Sequence, residues 1–419
     1  MRIPRTFRRW LGLLSVAAVT AMLVTACGGG DDNGGSGGGG GGGNGSNVSD
    51  GNTANTAVIT VGTGVAHVIN IPTVNVKICV PGTTNCQVVN NVLVDTASYG
   101  LRLVSSALSS GVLNNLPQTT SGGAPVAECG KFVSSFTWGS VRTVDLSIGT
   151  EQAGSLPVQI IGDLGTTNVP SSCSNNGART SANTASDLGA NGILGIGPAP
   201  VDCGTSCATS TSATSNNYYA CPNGNASCAV ALVPVAQQVA NPVHRFATDN
   251  NGVIVQMPNI SSSGQGSATG LLTFGIGTQG NNALGASTVL TSTTTGDVSA
   301  TFLGGNVTAF FDTGSNAYFF NDSAQKACTT NTQFYCPSST TTYTATLTGQ
   351  NGKSGGVSMP VANADLLFAN ASTFAFNDIA GPFGAAGWLD LGMPHFYGKT
   401  IYFGMDRTAT GGAQPYVAF

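Results

Sequence analysis

Two stretches decide how this chain is read: Val92-Leu93-Val94-Asp95-Thr96-Ala97-Ser98 and Ala309-Phe310-Phe311-Asp312-Thr313-Gly314-Ser315. Each is an apolar strand that ends in Asp-Thr-small-Ser, and each is followed by a second apolar run (Leu101 to Val104, Ala317 to Phe320). A carboxylate at the end of a buried strand is held toward the protein interior. The Thr after it can hydrogen-bond across to a partner loop, and a small third residue lets a backbone amide approach the carboxylate. Two such loops face to face would bring Asp95 and Asp312 close enough to share one proton, because both cannot ionise at that separation. The ionised carboxylate can then activate a water, while the protonated one donates to a carbonyl oxygen. A single Asp-Thr-Gly-Ser also occurs as an ordinary turn; the internal repetition makes the pair informative.

Outward from these motifs the chain reads as strands. They are expected over 57–61, 66–71, 74–80, 87–94, 132–138, 141–148, 155–161, 253–257, 271–275, 298–303, 307–311, 317–320, 343–347 and 400–404. Val233 to Ala240 is the best helical signal. Only 8% of the 419 residues are charged, against about 25% in an ordinary domain. Thr, Val, Ser, Asn and 59 Gly dominate instead, a composition that suits short strands and tight turns. No heptads, solenoid repeats or βαβ alternation occur, so the body is all-β. The formal net charge of -4 offers no basic field for phosphates and excludes electrostatic nucleic-acid binding.

The N-terminus reads as an export signal. Arg2, Arg5, Arg8 and Arg9 precede an apolar run to Val24, and Val24-Thr25-Ala26-Cys27 is similar to a lipobox, which implies cleavage before Cys27 and acylation of that residue. A transmembrane helix and a plain cleaved signal are the weaker readings. Gly28 after the Cys favours the outer over the inner membrane. A Gly-rich tether follows, giving the organisation 1–26 signal, 27–56 tether, 57–258 first β lobe and 259–419 second β lobe. With Cys27 set aside, ten Cys remain, enough for five disulfides in an oxidising compartment. Cys79–Cys86 and Cys328–Cys336 are the local pairs, and Cys129–Cys173 is next. Cys203, Cys207, Cys221 and Cys228 allow three pairings that sequence cannot choose between, and they fit a zinc site poorly. Segment 198–228 reads as a stapled surface insertion, over the cleft or docking a partner. His67, His244 and His395 are scattered and support no Ser/His/Asp arrangement.

The two motifs and their surroundings resemble the pepsin-like aspartic peptidases, in order, over about residues 57 to 419. Phe136-Thr137-Trp138-Gly139-Ser140 stands where that family has its flap, Gly192-Ile193-Leu194-Gly195-Ile196-Gly197 where it has the segment under the first Asp loop, and Leu391-Gly392 with Ile401 to Asp406 where it has its closing strands. The resemblance implies two six-stranded-type β-barrel lobes with a cleft between them. It implies Asp95 and Asp312 as catalytic residues, with Thr96, Ala97, Ser98, Thr313, Gly314 and Ser315 supporting them. Trp138 and Gly139 would form a substrate-binding flap, with Trp138 equally readable as strand core. No cofactor and no metal are implied. The expected partners are a peptide in the cleft and, through Cys27, a membrane; nucleic acid is not expected, and the protein is expected to be a monomer. With its N-terminal features the chain resembles a bacterial lipoprotein family of that type.

Four departures bear on activity: Ala97 for the first-motif Gly, Trp138 for the flap Tyr, Arg102 for a large apolar residue behind the loop, and Asp390 before Leu391-Gly392, a third acid near the centre. The first expectation is an exported aspartic endopeptidase. The second is a pepsin-like lipoprotein without activity that serves binding or assembly. The third is a structural surface lipoprotein.

Overall fold

The computed structural model of the protein describes residues 51, 52 and 54–419. The expected signal 1–26, Cys27 and most of the tether lie outside the described residues. Regular structure starts within the last stretch assigned to the tether. Asn55 is buried and donates to the Phe274 carbonyl, and the first strand is Thr56–Val61.

Both Asp-Thr motifs end strands whose last residues are apolar, Cys86–Asp95 and Gly305–Asp312. Cys86–Asp95 runs parallel to Gly192–Ile196, with Asp95 opposite Gly195. The strand that leaves the loop, Tyr99–Val104, returns antiparallel along the other side of Gly192–Ile196. The second motif repeats this plan: Gly305–Asp312 is parallel to Trp388–Gly392, with Asp312 opposite Gly392, and Tyr318–Phe320 is antiparallel to it. The middle strand thus threads between the entering and leaving strands of each loop. That crossing is too close for a side chain. A Cβ at Gly195 would lie 2.7 Å from the Tyr99 amide nitrogen, and one at Gly392 would overlap the Ala317 carbonyl.

The strands form a seventeen-stranded sheet and a seven-stranded sheet. The larger sheet joins the two halves of the chain: Thr56–Val61 pairs with Ala268–Phe274, which leads through Gly252–Gln256 to Thr400–Gly404 and Tyr416–Ala418. In the smaller sheet Val298–Phe302 and Thr341–Thr348 alternate strictly, Val, Ala, Tyr, Leu and Phe inward and Ser299, Thr301, Thr342, Thr344 and Thr346 outward. Thr and Ser fill the outward positions that Lys and Glu usually occupy, which is where the missing charge went. Among the described residues no helix is long and apolar enough to cross a membrane.

Four expected elements are corrected. Residues 66–71 are not a strand, because His67 and Asn70 take left-handed φ of 55° and 53°. Asn70 is fully buried: its Nδ2 donates to the Asn316 and Phe376 carbonyls, and its Oδ1 accepts from Phe376 N and the Tyr397 hydroxyl. Asn316 directly follows the second Asp motif, so a segment from the first half braces the second loop. The expected strands 132–138 and 141–148 belong to one long strand, Ser135–Ile148, which forms a hairpin with Ala124–Lys131. Residues 233–240 hold only the single 3-10 turn Val235–Gln237, because the backbone donors beyond it leave the segment. Val239 N donates to the Tyr218 hydroxyl and Ala240 N to the Pro157 carbonyl.

All ten cysteines among the described residues are paired: Cys79–Cys86, Cys129–Cys173, Cys203–Cys207, Cys221–Cys228 and Cys328–Cys336. The open choice among the middle four is settled as two local pairs, and their sulfurs are not free thiolates for zinc. Nor is segment 198–228 only a surface insertion. Tyr218, Tyr219, Cys207 and Cys221 are buried, and Tyr218–Ala220 pairs with the hairpin strand Ala124–Lys131.

Candidate active site

The two Asp loops meet through their threonines. Thr96 N donates to Thr313 Oγ1 at 3.1 Å and Thr313 N to Thr96 Oγ1 at 3.0 Å. The same hydroxyls donate onward, Thr96 Oγ1 to the Phe311 carbonyl at 2.9 Å and Thr313 Oγ1 to the Val94 carbonyl at 2.6 Å. Four buried hydrogen bonds with two-fold symmetry therefore lock loops that lie 217 residues apart in sequence. Each contributes about 1 kcal/mol net, and leaving any one unmade costs more.

This lock sets the carboxylates side by side. Both carboxyls converge beside Gly314, where a Cβ would lie 3.1 Å from Asp95 Oδ1 and 3.0 Å from Asp312 Oδ1. Asp95 is buried, and three donors converge on it: Ala97 N at 2.9 Å, Ser98 N at 3.2 Å and Ser98 Oγ at 2.6 Å. The methyl group at Ala97 has not kept its amide from the carboxylate. Asp312 is half-buried and receives Gly314 N at 2.7 Å and Ser315 Oγ at 2.8 Å. Burial, and then the charge of Asp95, push the Asp312 carboxyl up to about 8 against the pull of these donors. Asp312 therefore keeps a proton beside Asp95 toward neutral pH.

Asp390 comes to the same place. Register puts Asp390 opposite Phe310, two residues before Asp312, and Ser315 Oγ stands 2.7 Å from Asp390 Oδ2. Asp390 is buried, and its Oδ1 has no hydrogen-bond partner among the described residues. Burial first and Asp312 second hold its carboxyl well above the usual range.

Trp138 and Gly139 are not at a hairpin tip. The hairpin turns at residues 132–134, and Trp138 sits inside the return strand opposite Cys129, fully buried. It packs on the Cys129–Cys173 disulfide and edge-on to Tyr219, and its Nε1 donates to Asn225. Gly139 is equally enclosed, since a Cβ there would overlap the Ile160 carbonyl. Of the two roles open to Trp138, the strand-core role is the observed one. An indole at this position fills the space under the disulfide rather than reaching into a cleft.

Arg102, behind the first loop, is held in a buried ionic cluster that its sequence alone did not reveal. Its Nη2 lies 2.5 Å from Glu128 Oε1 and 3.8 Å from Asp202 Oδ2, and its Nη1 donates to the Tyr99 carbonyl. The Tyr218 hydroxyl donates to Asp202. Glu128 is on the hairpin, and Asp202 and Tyr218 are on the Cys-rich segment, so one guanidinium ties both to the strand leaving the first Asp loop. The available signal was that Glu128 is one of only two glutamates in the chain.

A family model described as "Protein of unknown function (DUF3443)" matches residues 51–419. No curated protein matches the chain. Among solved structures, the crystal structure of aspartic proteinase from Irpex lacteus matches with a TM-score of 0.50 at 13% identity, covering 87% of this chain and 97% of that one. At that identity the likeness establishes the fold, a two-lobed pepsin-like β fold, and not the activity.

Proposed function

We propose that this chain, which belongs to the DUF3443 family, is an exported, lipid-anchored aspartic endopeptidase that uses the Asp95/Asp312 pair. The observation that carries the reading is the threonine-locked approach of the two carboxylates. With one proton on the pair, the ionised carboxylate takes a proton from a water in the cleft as that water attacks the scissile carbonyl. The protonated carboxylate donates to the carbonyl oxygen, giving a neutral tetrahedral diol, and proton return to the amide nitrogen breaks the C–N bond. Ala97 N, Ser98, Gly314 N and Ser315 hold the carboxylates in place; no cofactor enters. Because Asp312 is pushed up to about 8, the singly protonated pair persists toward neutral pH, and activity falls as pH rises through about 8.

The test is cleavage of a peptide library from about pH 4 to about pH 9, with and without pepstatin. Wild type is expected to cut, and Asp312→Asn to lose about four orders of magnitude. If wild type and Asp312→Asn are equally inert at every pH, the peptidase reading fails.

The second reading is a pepsin-like protein that binds without cutting. It is favoured by one observation, that the expected flap aromatic, Trp138, is locked in the core. Peptide capture without cleavage would support it.

Anchoring through Cys27, with the outer membrane the more favoured site, rests on the N-terminal sequence. Cys27→Ala is expected to move the protein from the membrane fraction to the soluble envelope fraction. Unchanged fractionation with no lipid on the wild-type protein counts against the anchor.

A further inference from the structure

The two halves of the site are not equivalent. The middle strand under the first loop reads Ile193-Leu194-Gly195, and the one under the second reads Asp390-Leu391-Gly392. Register places Ile193 opposite Leu93 and Asp390 opposite Phe310, the same step before the motif aspartate. An apolar residue therefore serves in one half where a buried acid stands in the other.

Among the described residues that acid has one polar contact. Asp390 Oδ2 lies 2.7 Å from Ser315 Oγ, and Asp390 Oδ1 is buried with no partner. The charged groups that act on Asp390 are the carboxyls of Asp312 and Asp95, neither of which can supply positive charge. On the elements packed against its strand the other titratable groups are Tyr318 and His395. Burial keeps the phenol from ionising and the imidazole from gaining charge. Among the described residues no cation acts on Asp390, so an anion there would be uncompensated.

The Ser315 hydroxyl has one hydrogen and two carboxyl neighbours, Asp312 Oδ2 at 2.8 Å and Asp390 Oδ2 at 2.7 Å. It can donate to only one of them. We propose that Asp390 is a positioning residue that keeps a proton on Oδ2 and donates it to Ser315 Oγ, which forces the Ser315 hydrogen onto Asp312. The chain Asp390–Ser315–Asp312 then has one orientation, and the hydrogen bond that supports Asp312 is made by every molecule rather than by a fraction of them. The role in turnover rests on the peptidase reading; the protonation of Asp390 does not.

The experiment separates the two. The infrared absorption of protonated carboxylic acids is measured on the purified full chain at about pH 7 for wild type, Asp390→Asn and Asp312→Asn. Wild type is expected to show the band, and Asp390→Asn to lose a part that Asp312→Asn retains. Identical bands in wild type and Asp390→Asn overturn the proposal, whether or not the protein cuts peptides. If the band behaves as expected and no peptide is cut, the protonation stands and the peptidase reading alone fails.

In the active protein, Asp390→Leu removes the donor and is expected to lower kcat about tenfold with little change in KM. Asp390→Asn keeps a donor and is expected to restore most of that loss. The alkaline limb of the wild-type pH profile is expected to carry two ionisations and that of Asp390→Asn one. Equal loss in the Asn and Leu variants with an unchanged limb would mark Asp390 as packing only and overturn the positioning role.

Discussion

On the proposed peptidase reading, Gly314→Ala is expected to lower activity at least about a hundredfold while leaving the protein folded. The reason is local. Gly314 is not among the glycines with positive φ, so its backbone would accept a side chain. The obstacle is the carboxyl pair itself: a methyl at Gly314 would lie 2.9 Å from Asp95 Cγ, 3.1 Å from Asp95 Oδ1 and 3.0 Å from Asp312 Oδ1. Neither side chain can swing aside freely, because Asp95 is held by Ala97 and Ser98, and Asp312 by the Gly314 amide and Ser315. The methyl must push the carboxyls apart, and their shared proton depends on their closeness. The cost in stability is that of ordinary overpacking, about 1–3 kcal/mol. The pH profile carries a second signature. With Asp95 farther away, one cause of the raised Asp312 value weakens, so the alkaline limb moves to lower pH. Ala97→Gly is the control, since a methyl is already accommodated there and the amide bond to Asp95 is made. Activity of Gly314→Ala within tenfold of wild type would mean that the two carboxyls do not act as one unit.

The features legible in the sequence were those set by neighbours along the chain. The strand endings at Asp95 and Asp312, the Thr cross-bonds and the short disulfide loops Cys79–Cys86 and Cys328–Cys336 follow from local pattern or from the internal repeat. What stayed hidden was decided by distant partners. Asn70 reads as part of an apolar strand until Phe376 and Tyr397, more than 300 residues away, claim its side chain and turn its backbone left-handed. Residues 233–240 have helical spacing, but the Tyr218 hydroxyl and Pro157 carbonyl take their amides. Trp138 has the right distance from Asp95 for a flap, yet its strand pairs with Ala124–Lys131, which puts the hairpin turn at 132–134 instead. Pattern could place Asp390 near the centre; that its side chain meets Ser315 needed the fold.

The other large effect is expected at Arg102. Arg102→Met should cost about 3–5 kcal/mol of stability at neutral to alkaline pH, because it strands two buried carboxylates rather than removing one surface pair. Glu128 is fully buried, and Asp202 is nearly so. Even with the guanidinium present, burial outweighs its pull and raises Glu128 to about 8. A carboxyl raised in this way is protonated in both folded and unfolded chains at low pH, where it contributes no penalty. As pH rises from the ordinary carboxylate range toward about 8, the unfolded chain releases the proton that the folded one retains, and stability is lost over that window. Without Arg102 the Glu128 value rises further, so the window widens upward. The difference between wild type and Arg102→Met should therefore be smallest near pH 4 and largest above about pH 8, as read by urea unfolding at several pH values. Glu128→Gln should cost less, since it resembles the protonated form, and should flatten the same pH dependence. A loss for Arg102→Met that is equal at every pH would show that the residue acts through packing of its stem and not through the two acids. The consequence for the site follows from the connections: the guanidinium holds the hairpin and the Cys-rich segment to Tyr99–Val104, the strand that leaves the Asp95 loop. Loosening it should admit protease cleavage within 198–228 before the disulfide-bonded core unfolds.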